Sequence, residues 1–243
     1  MTVCPETLDI LRRSLAWCEL SDGAFDITVA PVVSLWDFSE GAQPVLPSED
    51  ALAEAVSHVD YRQIVIEGDT VRLTDTEAGI DLGAVAKGYI SDGLKDTILA
   101  HGCSSALINL GGNVLAVGGK SEDKDFRIGI RRPFGESASD LIRVLGIRDC
   151  AVITSGTYER FFELDGVIYH HILDVNTGYP VENGLASVSI LSKSGTDGDA
   201  LSTACFALGP EKGMALIEQL DGTEAMFIDA DENITCSSGW PEE

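Results

Sequence analysis

VAKGYISDGLKDTILAHGCSSALINLGGNVLAV, residues 85–117, decides the fold class. From about Val85 to His101 the stretch reads as a helix. It is followed by two short apolar runs, Ser105–Leu110 and Asn113–Val117, which read as strands. Gly111 and Gly112 join those runs, and a glycine pair lets the backbone turn sharply or approach a ligand closely. No helix intervenes before the next strand-like runs at Phe126–Arg131, Leu141–Ile147, Ala151–Thr154, Val167–Val175 and Leu185–Leu191. A sheet-dominated middle with helices before and after it, rather than a strict βαβ alternation, predicts an α+β fold with a mixed or antiparallel sheet core and flanking helices.

Toward the N-terminus, Leu8, Leu11, Leu15 and Cys18 recur at helical spacing over residues 5–19, with Pro5 and Glu6 suited to a first turn. A turn at Ser21-Asp22-Gly23 follows, then an apolar stretch that predicts a short helix around Pro31. Ser48-Glu49-Asp50 opens another helix to about Val59, RQIVIEG and TVRLTD flank a hairpin turn at Glu67-Gly68-Asp69, and Ile80 starts the next segment. Toward the C-terminus, Asp199–Leu208 and Pro210–Leu220 read as helices, and strands are expected near Ala225–Ile228 and Asn233–Cys236. With no internal repeat and no Pro/Ser-rich linker, residues 1–243 read as a single domain.

Sixteen basic side chains against forty acidic ones give a net charge of −24, which argues against a nucleic-acid partner. At 44% hydrophobic and 23% charged residues the composition is that of a globular protein. No run approaches the roughly 18 apolar residues of a membrane span, and the first residues lack a signal-peptide pattern. Read alone, the chain looks cytoplasmic. Six scattered cysteines without a C-x-x-C pair indicate neither a zinc knuckle nor a dense disulfide framework, and most are expected to be buried thiols.

Five segments could carry chemistry. Asp81–Tyr89 joins a strand to a helix through a glycine turn and puts Lys87 in the first helical turn. There, free N–H groups, the helix dipole and an ammonium could meet a pyrophosphate, although a solvated turn would look the same. Asn109–Asn113 is a hairpin turn or a close approach to a ligand. Thr154–Arg160 brings hydroxyls and a glycine to a strand end, where they could hold phosphate or ribose or serve only the turn. His170 and His171, adjacent on an expected strand, should point to opposite faces, so that only one can face a given cleft. In Thr196–Thr203, Thr196 could cap a helix with Asp199 completing a variant capping box. Alternatively, Asp199 and Thr203, four residues apart, could present a carboxylate and a hydroxyl to a hard cation such as Mg²⁺.

Taken together, GAFDITVAPVVSLWDF, DLGAVAKGYISD, INLGGNV, RIGIRRP, VITSGTYERFF, YHHILDVNTGYP and TDGDALSTACFALG occur in an order that resembles the ApbE family of FAD:protein FMN transferases, over nearly the whole chain. The resemblance implies a T-fold-like architecture. It also implies Mg²⁺ and FAD as substrate, with the hydroxyl of a threonine or serine on an acceptor protein attacking the FMN phosphorus and AMP leaving. Carried over by position, Asp199, Thr203 and the carbonyl of Ala84 would ligate the metal. Lys87, Ser155 and Glu159 would contact FAD, Asp81 with Gly111 and Gly112 would line its groove, and His171 would be the base. The implied acceptor is a flavin-carrying redox-pump subunit or a small FMN-binding domain.

Two departures stand out. Only about 20 residues precede the GAFDITVAP motif, where family members usually carry several dozen, so the chain reads as shortened at its N-terminus. Exported members carry signals and lipid anchors in that region, so a cytoplasmic appearance does not settle location. Val175 also stands where the family more often has proline. The same residues would serve a Mg²⁺-dependent FAD pyrophosphatase, with water in place of the acceptor hydroxyl, or a non-catalytic FAD-binding protein.

Overall fold

The structure is a computed structural model that describes residues 1–39, 41–137 and 139–241. In chain order its elements are α1 (Pro5–Leu20), α2 (Ala30–Val33), α3 (Glu49–Ser57), β1 (Ile64–Glu67), β2 (Thr70–Leu73), α4 (Ala86–Ala100), β3 (Ala106–Leu110), β4 (Asn113–Val117), β5 (Phe126–Arg131), β6 (Leu141–Ile147), β7 (Ala151–Gly156), β8 (Phe161–Leu164), β9 (Val167–His170), β10 (Leu185–Ser192), α5 (Gly195–Ile217), β11 (Thr223–Asp229) and β12 (Ile234–Cys236). They form two compact units, Met1–Gly83 with Glu159–Glu182, and Ala84–Tyr158 with Asn183–Glu243.

The first unit holds α1 to α3 and two antiparallel hairpins, β1–β2 and β8–β9. Ser48 caps α3 by accepting the Ala51 N–H at 3.2 Å, and Glu49 and Asp50 sit in the first turn, where carboxylates favour the helix dipole. Its core packs Val32, Trp36, Leu52, Ala55 and Leu173 together. The Trp36 indole N–H reaches the Gly178 carbonyl at 2.9 Å, and its ring stacks on Phe38 and Tyr169.

The second unit is built on a six-stranded sheet of order β12-β11-β10-β7-β4-β3, antiparallel throughout. Successive side chains of a strand point to opposite faces, and β4 shows what covers each. Val114 and Ala116 pack with Ile128, Ile130, Leu145 and Ile147 of the β5–β6 hairpin, while Leu115 and Val117 join Ile108, Ala151, Ile153 and Ile98 of α4. Every residue of β4 is therefore buried. This is the α+β, antiparallel architecture expected from residues 85–117.

Four local expectations are corrected. The strand expected over Val167–Val175 stops at His170, because the His170 ring accepts the Ile172 N–H and draws the chain into a bend. Phe161–Leu164, not expected as a strand, pairs with it as β8. The segment at Ile80 contributes only an isolated bridge from Gly79 to Val29. Finally, Thr196 is not the cap of α5. Ser194 is, accepting the Asp197 N–H at 3.1 Å, so the helix begins four residues before Asp199 and Asp199 closes no capping box. The two expected helices become the halves of α5 on either side of Gly209, whose φ of 80° and following proline interrupt the ladder.

All six cysteines are free thiols. Cys18 and Cys205 are buried, Cys150 and Cys236 half-buried, and Cys4 and Cys103 exposed. Burial pushes the thiols of Cys18 and Cys205 up to about 12.

The helices α4 and α5 meet at two glycines. A Cβ on Gly88 would overlap the Gly195 carbonyl oxygen, whereas Gly93, on the exposed side of α4, faces open space. Gly88→Ala should therefore cost about 3 kcal/mol through overpacking, and Gly93→Ala should gain up to about 1 kcal/mol from helix propensity. Thermal midpoints of the two variants, measured side by side, check the opposite signs.

Candidate active site

At the α4–α5 crossing two carboxylates reach in opposite directions. Asp199 of α5, only 4% exposed, accepts the backbone N–H of Gly88 at 2.8 Å through Oδ2 and the Asn113 side-chain amide at 2.7 Å through Oδ1. Asp92 of α4 accepts the N–H groups of Gly195 and Thr196 at 2.7 and 2.9 Å and the hydroxyls of Thr196 and Ser194 at 2.6 and 3.1 Å. Each helix thus supplies the carboxylate that satisfies backbone donors at the start of the other, where a helix leaves its N–H groups unpaired. Lys87 Nζ lies 3.7 Å from Asp199 Oδ1 with its side chain 43% exposed, so the ammonium is both drawn to the carboxylate and reachable by a ligand.

Because the Gly88 N–H is turned to Asp199, helical bonding in α4 begins with Tyr89 N–H to the Val85 carbonyl, and the Ala84 carbonyl stays outside that ladder. One turn beyond Asp199 on α5, Thr203 Oγ1 lies 3.3 Å from Ser155 Oγ of β7, and Ser155 Oγ is 2.8 Å from Ser202 Oγ. Gly111 and Gly112, with φ of 61° and 102°, form the two-residue turn of the β3–β4 hairpin, and Asn109 Oδ1 accepts the Gly112 N–H. That turn delivers Asn113 to Asp199. The second unit thus brings together Asp199, Thr203, Ser155, Lys87 and the Gly111–Asn113 turn, with Ala84 one turn ahead of Gly88.

Among the described residues there is no group of three or more His, Cys, Asp or Glu side chains able to hold a metal ion. A carboxylate, a hydroxyl and a backbone carbonyl are nonetheless hard oxygen donors of the kind Mg²⁺ takes when substrate phosphates and water complete its shell. The residues present fit that ion.

The remaining candidates belong to the first unit. Asp81 Oδ1 accepts the Gly83 N–H at 2.6 Å and its own N–H bonds the Ile27 carbonyl, which fixes the loop ahead of Ala84. Glu159 is exposed, two residues ahead of β8. The two histidines have opposite characters. His170 is 6% exposed, with Nδ1 accepting the Ile172 N–H and Nε2–H donating to the Val181 carbonyl at 3.2 Å. Desolvation depresses its pKa to about 4 despite that donated bond. His171 is half-buried, and its Nδ1 lies 3.2 Å from the Arg160 carbonyl. A carbonyl can only accept, so this bond puts the proton on Nδ1 and makes Nε2 the basic nitrogen of the neutral ring.

Three residues of the site escaped the sequence reading: Asn113, Asp92 and Ser202. Asn113 carried a faint signal, a polar residue at the head of an otherwise apolar strand directly after a glycine turn. Asp92 carried none, because its partners lie 102 to 104 residues away, and for Ser202 only the Asp199 carbonyl is local, its other partner Ser155 lying 47 residues away.

Fold and site define an α+β protein with a buried carboxylate, a hydroxyl row and a lysine gathered where two helices cross, an arrangement suited to a cation-bound phosphate ester. The ApbE family model matches residues 1–227, and the chain belongs to that family. It is 41% identical over 245 residues to the FAD:protein FMN transferase of Treponema pallidum, covering 95% of this chain and 67% of that protein. The crystal structure of the ApbE protein of Thermotoga maritima superposes with a TM-score of 0.88 at 33% identity, over 98% of this chain and 77% of that one. The flavin transferase ApbE of Vibrio cholerae gives 0.83 at 31% identity with the same coverage.

The buried His170 sets a pH dependence whose sign follows from its lowered pKa. Between pH 6.5 and about 4 the unfolded chain takes up a proton that the folded chain refuses, so this contribution to stability is lost as pH falls through that window. On going from pH 7 to pH 5 the protein should lose about 2 kcal/mol more stability than its His170→Gln variant. Urea unfolding at the two pH values measures the difference.

Proposed function

We propose that this chain transfers FMN from FAD to a threonine or serine hydroxyl of an acceptor protein, with Mg²⁺ bound and AMP released. The observation that carries the reading is the cluster of Asp199, Thr203 and Lys87 at the α4–α5 crossing of an ApbE-family chain. Curated relatives named FAD:protein FMN transferase support the same chemistry. The acceptor is taken to be a redox-pump subunit or a small FMN-binding domain. Residues 1–243 are taken to act as one flavin transferase domain, since the backbone passes between its two units three times with no linker composition.

In this reading Asp199, Thr203 and the Ala84 carbonyl would hold Mg²⁺, which would supply positive charge against the phosphates. The acceptor oxygen forms a bond to the FMN phosphorus while the bond from that phosphorus to the bridging oxygen of AMP breaks. Lys87, at the head of α4, places a mobile ammonium beside the departing phosphate. Held by its Nδ1–H bond to Arg160, His171 takes the hydroxyl proton on Nε2, which makes a weak nucleophile competent near neutral pH. Ser155 and Glu159 contact FAD, and Asp81, Gly111 and Gly112 line its groove. Asn113 keeps the Asp199 carboxylate oriented, the service that partners of metal ligands commonly perform.

Mass spectrometry of a threonine-bearing acceptor domain incubated with the protein, FAD and Mg²⁺ should show addition of FMN with matching AMP release, both abolished by EDTA. AMP release without modification would identify an FAD pyrophosphatase instead, and neither signal would identify a binding protein. Asp199→Asn should lower the transfer rate by at least about 100-fold. His171→Ala should lower it by about 100-fold or more while FAD affinity stays within about twofold. An unchanged rate in either variant removes that residue's role.

A further inference from the structure

The hydroxyls of Thr203, Ser155 and Ser202 lie in a row that ends on a backbone carbonyl. Ser202 Oγ is 2.9 Å from the carbonyl oxygen of Asp199, which can only accept. If Ser202 spends its one proton there, the 2.8 Å contact with Ser155 must be donated by Ser155. Ser155 then has no proton left, and its 3.3 Å contact with Thr203 must be donated by Thr203. In this direction three protons make three hydrogen bonds. In the reverse direction Ser202 donates to Ser155 and Ser155 to Thr203, which makes only two and leaves the Thr203 proton unused by the row. Ser202 is fully buried and Asp199 nearly so, and there the first direction makes one more hydrogen bond than the reverse.

We propose that Ser155 and Ser202 form a one-way hydroxyl relay that draws the Thr203 proton away from the cation and turns the Thr203 lone pairs toward it. The proposal rests on the reading of Thr203 as a metal ligand. A hydroxyl binds a cation through a lone pair, so a relay that fixes its proton on the far side prepares the ligand before the ion arrives. The three hydrogen bonds then run in one sense, and hydrogen bonds in a chain polarise one another. Ser202 touches neither metal nor substrate and is a positioning residue. Ser155, its proton committed to Ser202, meets FAD as an acceptor only, so it suits a sugar or ribityl hydroxyl rather than a phosphate oxygen.

Two measurements test the relay. Neutron diffraction from deuterium-exchanged crystals of the metal-free protein should place the deuterium between Thr203 and Ser155 on Thr203 Oγ1. Deuterium on Ser155 Oγ pointing at Thr203 overturns the proposal, whatever the protein binds. In solution, Mn²⁺ alone serves as the probe, its binding followed by the loss of the free-ion paramagnetic resonance signal. Ser202→Ala should weaken Mn²⁺ binding by about tenfold, yet have no further effect in a chain already carrying Ser155→Ala, because the relay is then already broken. Additive losses, or no loss in Ser202→Ala while Asp199→Asn abolishes binding, sink the relay and leave the metal site standing. If the unaltered protein binds no Mn²⁺, or Asp199→Asn binds it equally well, the metal reading falls and the relay's purpose with it.

Discussion

The site hangs on one close approach, the contact of α4 with α5 at Gly88 and Gly195, where a side chain on Gly88 would fill the space taken by the Gly195 carbonyl. At that distance the backbone amides at the start of each helix come within reach of a carboxylate on the other. Asp199 takes the Gly88 N–H, and Asp92 takes those of Gly195 and Thr196. The bonds do two jobs at once. They satisfy donors that helix starts leave open, and they immobilise Asp199 in a nearly dry setting where Lys87, Asn113 and the Ala84 carbonyl are already close in the chain or in space.

Charge is used sparingly there. In a protein of net charge −24 the helix crossing carries two carboxylates, Asp199 and Asp92, and the ammonium of Lys87 beside Asp199. The rest of its polarity comes from neutral dipoles: an amide on Asp199, a row of hydroxyls beside Thr203, and the N-terminal end of α4. Neutral donors hold the Asp199 carboxylate in place without adding charge beside it. Lys87 keeps nearly half of its side chain in solvent, while Asp199 is almost fully buried and is held in place by Gly88 and Asn113.

Much of this was written in local sequence. The helices of the first unit, the hairpins closed by Gly68-Asp69 and Gly111-Gly112, and the i, i+4 placement of Asp199 and Thr203 follow from spacing and turn chemistry alone. The misreadings were places where a distant partner outweighed the local pattern. Thr196 looks like a helix cap until Ser194 takes that role and Asp92, more than a hundred residues away, takes the Thr196 hydroxyl. Ile172, Leu173 and Val175 look like more strand until the His170 ring captures the Ile172 N–H. Phe161–Leu164 acquires its identity only from pairing with β9. Asn113, Asp92 and Ser202 hold the site through contacts across 86, 102 to 104 and 47 residues of chain, a range no local pattern encodes.

The cysteines carry a practical consequence. The buried thiols of Cys18 and Cys205 are held protonated far above neutral pH, and a thiol reacts only as the thiolate. Burial also raises the thiols of Cys150 and Cys236. The exposed pair falls one to each compact unit, Cys4 in the first and Cys103 in the second. The natural chain therefore already carries the two attachment points that a fluorescent donor and acceptor need. Energy transfer between them would follow the separation of the units in real time, with FAD present or absent, without changing a single residue.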